Sequence, residues 1–75
     1  SRPGLAPALR ELLSICALAA LNQPAQFESH ARGALRFGAT HDDLISALEA
    51  TSSIAPEPNI DRARAALAKL SRQER

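Results

Sequence analysis

An all-α fold, a small four-helix antiparallel bundle, follows from three features of the chain. β-Branched residues are scarce: four Ile, two Thr and no Val among 75 residues. Ala, Leu, Glu and Arg dominate, and these are helix formers. Pro and Gly then cut the chain into four stretches, each with apolar residues at three- and four-residue spacing.

Pro7 suits the first turn of a helix, where its missing N–H does no harm. The first helix is therefore expected over about residues 7 to 21, with an apolar stripe of Leu9, Leu12, Leu13, Cys16, Ala17, Ala20 and Leu21. From Ile15 to Leu21 the chain is apolar all round, which predicts burial on several sides. A short Asn22-Gln23 turn follows. Pro24 starts a second helix, which runs to about Phe37 and stops at Gly38 in the left-handed position past a helix end. Thr40 and Asp43 have the spacing of a variant capping box for a third helix. Asp42 and Asp43 also suit the positive end of the helix dipole. Leu44, Ile45 and Leu48 form its apolar stripe, which continues to Thr51 or Ser52. Pro56 and Pro58 predict a break. Asn59 is placed to cap a fourth helix, with Ile60, Ala63, Leu67 and Leu70 on one face and a fraying tail from Ser71 to Arg75.

The chain reads as a single domain over residues 1–75, with an ordered core at about 5–70. Its core is small. Sixteen of the apolar residues are Ala, and only 17 side chains are both large and apolar. Chains of this size usually need disulfides, a metal or oligomerisation. One Cys allows no internal disulfide. One Cys and two His make no Cys-rich zinc framework. His30 and His41 with Asp42 or Asp43 lack metal-ligand spacing, so no metal site is assigned. Oligomerisation is the remaining support.

Nine basic and eight acidic residues give a net charge of +1. Neither a basic excess nor stacking aromatics point to nucleic acid. A helix-turn-helix could be drawn at Gly38-Ala39-Thr40, but its second helix opens His41-Asp42-Asp43, which would repel phosphate. No apolar run is long enough to span a membrane, and no signal peptide is visible. A cytoplasmic location is expected, with neither nucleic acid nor membrane as a partner.

The order of motifs is more informative than any one of them. Leu9-Arg10-Glu11-Leu12-Leu13 opens an apolar helix. After a short turn comes a helix with Glu28, His30, Ala31 and Ala34. Gly38-Ala39-Thr40 follows, then acidic residues, then Ile45 through Leu48. This series resembles the core of the carboxymuconolactone decarboxylase family, which includes the alkylhydroperoxidase D proteins, and covers about residues 5 to 70. The resemblance implies an alkylhydroperoxidase D-like helical core completed by assembly into a homo-oligomer, a trimer or hexamer, with sites near subunit contacts.

The family's redox branch has a glutamate, a Cys-x-x-Cys pair and a histidine four residues after the second Cys. Counted back from His30, the cysteines fall at Gln26 and Gln23, and the glutamate at Glu11. Glu11 and His30 match, but Gln forms neither a thiolate nor a disulfide, so thiol peroxidase chemistry is excluded. Cys16, in the first helix, cannot restore the pair. The decarboxylase branch needs no cysteine. It usually carries a Tyr-Ala-Gly-x-Pro turn after the third helix; the corresponding run here is Ile54-Ala55-Pro56-Glu57-Pro58, which keeps Ala55 and Pro58 only. Members usually have one more helix before this core.

The resemblance thus implies a decarboxylase-like lyase that uses no cofactor and acts on a carboxylated unsaturated lactone or a similar small acid. The alternative is a non-catalytic helical oligomerisation module, or a degenerate member of the family. His30 is the candidate proton donor. It shares a helix face with Phe27, Ala31, Ala34 and Phe37, and histidine can exchange protons near neutral pH. Its bland reading is a half-buried His bonded to a neighbouring helix. Glu11 is the candidate partner in a catalytic pair; most Glu residues are solvated charges. Arg32 and Arg36 lie four apart on one side of the second helix and are the candidate substrate anchors for a carboxylate. Their bland reading is surface or intersubunit charge, with Arg10 a further cation nearby. Glu28, Arg62, Arg64, Lys69 and Arg72 are expected on solvated faces. His41 and Asp42 are expected to serve the cap.

Overall fold

The computed structural model describes residues 5–73. They form four α-helices, α1 (Leu5–Ala20), α2 (Pro24–Arg36), α3 (His41–Thr51) and α4 (Glu57–Gln73). No strand occurs among the described residues. All six helix pairs touch, most extensively α1 with α2.

The helix ends follow local chemistry. The turn after α1 places Asn22 at φ 58°, in the left-handed region that Asn tolerates. α2 closes with Gly38 at φ 104°. The Ala39 N–H donates to the Ala34 carbonyl at 2.9 Å and the Gly38 N–H to the Leu35 carbonyl at 3.1 Å, the Schellman pattern. Thr40 and Asp43 form the expected capping box: the Asp43 N–H donates to Thr40 Oγ1 at 3.1 Å, and the Thr40 N–H donates to Asp43 Oδ2 at 2.9 Å. His41 and Asp42 take no part in that reciprocal pair.

Four expectations change. First, α1 begins at Leu5, with Pro7 still inside its first turn. Second, α1 is not buried on several sides. Leu9, Leu13 and Leu21 stand exposed, the last two by 64% and 68%, whereas Ile15 and Ala19 are sealed in the core. In a stretch apolar all round, periodicity cannot select the inward face; contact with α2 and α3 selects it. Ile45 likewise faces out, so α3 is anchored by Leu44, Leu48 and Thr51. Third, α4 starts at Glu57, ahead of Asn59. Pro58 is tolerated in a first turn, whose N–H groups have no intrahelical partner. Asn59 instead donates through Nδ2 to the Ala20 carbonyl at 2.9 Å, satisfying the end of α1. Fourth, Ser71–Gln73 remain helical. Arg32 donates to Gln73 Oε1 at 2.6 Å and ties that turn to α2. The remaining tail residues, Glu74 and Arg75, lie outside the described ones.

The core is one cluster. Phe27, Ile15, Leu44, Leu48, Ile60 and Leu70 are its largest fully buried side chains. Ala19, Ala31, Ala34 and Ala63 are also buried, and their small side chains let the helix backbones approach. On α4 the four expected residues, Ile60, Ala63, Leu67 and Leu70, are all buried.

Candidate functional site

α2 turns Phe27, Ala31 and Ala34 into the core, and this places His30 at the seam with α1. On α1, burial of Ala8, Ile15 and Ala19 turns Glu11 toward the same seam. The two meet: His30 Nδ1 lies 2.8 Å from Glu11 Oε2. The side chains are 41% and 21% exposed. Two local sequence patterns on separate helices thus bring an imidazole and a carboxylate into contact.

An ionised carboxylate only accepts hydrogen bonds, so the proton in this contact belongs to Nδ1. Glu11 therefore selects the Nδ1–H tautomer, which leaves Nε2 as the basic nitrogen of the neutral ring. The pair can thus deliver a proton from Nε2 or take one up there.

Gly33 completes the contact. It is buried in the interior of α2, one turn from His30. A methyl group on its Cα would stand 2.8 Å from Glu11 Oε2 and 3.3 Å from Cδ. The carboxylate thus occupies space that a side chain at position 33 would take. Spacing alone did not single out Gly33. The available signal was a glycine within a helix, where it costs up to about 1 kcal/mol relative to Ala and calls for a packing reason.

Arg32 and Arg36 are not brought to His30. At 3.6 residues per turn they lie about 200° and 240° around α2 from it. With Ala25, Glu28 and Ser29 they form a separate open surface of α2. Arg32 donates to Glu28 Oε1 at 2.8 Å as well as to Gln73. Glu28 is not a solvated charge: its side chain is 18% exposed and it also reaches Lys69 of α4, at 3.7 Å. Arg36 makes no ion pair among the described residues. Arg64 pairs with Glu49 at 3.0 Å and Asp61 at 3.6 Å rather than standing alone. His41 lines a groove between α3 and α4 with Ile45, Glu49 and Arg64. Cys16 donates to the Ala47 carbonyl at 3.4 Å, away from the Glu11–His30 pair. No group of three His, Cys, Asp or Glu among the described residues could hold a metal ion, and no described helix is long and apolar enough to cross a membrane.

The described residues thus form a four-helix bundle with a carboxylate–imidazole pair between its first two helices. The model of the carboxymuconolactone decarboxylase family matches residues 1–69, and the chain belongs to that family. No curated protein and no solved structure matches it.

Proposed function

We propose that this chain is a cofactor-free, decarboxylase-like lyase acting on a carboxylated unsaturated lactone or a related small carboxylic acid. The observation that carries this reading is the 2.8 Å contact between His30 Nδ1 and Glu11 Oε2. In the reaction the carbon–carbon bond to the carboxylate breaks and CO₂ leaves. The electron pair runs into the conjugated lactone as an enolate-like charge. Protonated His30 gives its Nε2 proton to carbon and becomes the neutral Nδ1–H tautomer held by Glu11. Water then restores the lost proton.

Arg32 and Arg36 are the proposed anion anchors. They face away from His30 of their own subunit, so in this reading they serve a neighbouring copy. That fits a trimer or hexamer with sites at subunit contacts. The exposed ridge of Leu9, Leu13 and Leu21 supports such assembly, being a surface that a second copy can cover. The location we propose is the cytoplasm, and the role is catabolism of aromatic compounds.

An ultraviolet assay on 4-carboxymuconolactone tests the reading. Wild type is expected to turn over, and His30→Ala to lose about 10²- to 10⁴-fold, the usual worth of general acid catalysis. No turnover by wild type removes the substrate claim, and equal rates remove the role of His30. The second reading, a non-catalytic oligomerisation module, draws on the engagement of Arg32 by Glu28 and Gln73. An oligomer without turnover would favour it.

A further inference from the structure

We infer that Gly33 is a positioning residue, whose missing side chain makes the room in which Glu11 reaches His30 and sets the tautomer of its ring. The inference rests on reading His30 as the proton-carrying group of the site. The geometry is specific. A Cβ at position 33 would lie 2.8 Å from Glu11 Oε2, closer than real Cβ atoms approach, 3.3 Å from Cδ and 3.6 Å from Cγ. All three atoms belong to the outer part of one flexible side chain. The same Oε2 accepts from His30 Nδ1. The three atoms nearest such a methyl group all belong to Glu11, so the carboxylate is the first group it displaces. Gly33 also sits in the interior of α2, where alanine is the better helix former. Substitution should therefore preserve the fold and break the pair.

The test is Gly33→Ala, read by long-range ¹H–¹⁵N spectra of the His30 ring at alkaline pH. His41→Ala serves to assign the two histidines. In wild type the Nδ1–H tautomer is expected to dominate. In Gly33→Ala its ratio to the Nε2–H form should fall about tenfold or more, as befits loss of a charge-assisted hydrogen bond. Glu11→Ala should give the same ratio, and adding Gly33→Ala to it should change nothing further. Helical circular dichroism and Tm of Gly33→Ala should not fall below wild type. A wild-type tautomer ratio in Gly33→Ala overturns the inference. So does unfolding of that variant, or a shift that Gly33→Ala still produces without Glu11. None of these readouts involves a substrate. An inactive wild type would therefore sink the proposed reaction and leave this inference standing, and an unchanged tautomer would do the reverse.

Discussion

Glu11 and His30 are nineteen residues apart in the chain and 2.8 Å apart in space. Their contact makes the carboxylate's charge measurable by substitution. Glu11→Gln keeps an acceptor of similar shape but removes the negative charge. It is expected to lower turnover about tenfold, the difference between a charged and a neutral hydrogen bond. Glu11→Ala should cost more than Glu11→Gln and no more than His30→Ala. A Glu11→Gln variant as impaired as His30→Ala would mean that the charge does more than orient the ring. In the core, Phe27 is the largest fully buried side chain. Phe27→Ala should cost about 3–5 kcal/mol in a denaturant titration, enough to unfold most of so small a bundle.

At the scale of elements, the connection between α2 and α3 is the most strongly specified part of the chain. Gly38 at φ 104° and the Thr40–Asp43 box lie within six residues. Thr40→Ala removes the acceptor for the Asp43 N–H and should cost about 1 kcal/mol. Gly38→Ala forces a side chain into the left-handed region and should cost about 1–2 kcal/mol. Chemical denaturation measures both. A combined loss well above their sum would show that the turn acts as one cooperative unit. These elements were legible in the sequence because capping and glycine preferences are local. The start of α4 was not. Asn59 has the chemistry of a cap, yet its amide is taken by the Ala20 carbonyl thirty-nine residues away. The helix begins earlier, at Glu57, because the Asn59 and Ile60 N–H groups both donate to the Pro56 carbonyl and close a turn there.

For the whole molecule, the exposed residues of α1 and of the turn that follows it matter most. Leu9, Leu13 and Leu21 are spaced four or eight apart and lie outside the core, together with exposed Ala17. Among the described residues, a chain with so few large apolar side chains leaves these three leucines uncovered. The expectation is an oligomer that uses this ridge. Leu13→Glu should dissociate it and lower Tm while the dissociated chain keeps measurable helical signal. Analytical ultracentrifugation decides the matter: a well-folded wild-type monomer at micromolar concentration would overturn the need for partners. If Arg36 serves a neighbour's site, mixing His30→Ala with Arg36→Ala subunits should restore part of the activity that each lacks alone. No recovery in mixed oligomers would place the anchor elsewhere.

The sequence alone determined the helix count, most helix ends, the inward face of α4, and the Glu11 and His30 positions of the candidate pair. Those features depend on neighbours within a few residues, or on an ordered series of motifs. Tertiary structure decided the rest. It chose which side of the uniformly apolar α1 faces inward, because no periodicity distinguishes sides there. It drew Glu28 and Arg32 into contacts with α4, because an amphipathic pattern does not show which charges meet across helices. It also put Gly33 beside the Glu11 carboxylate, since the use of an absent side chain becomes visible only when another group fills its place.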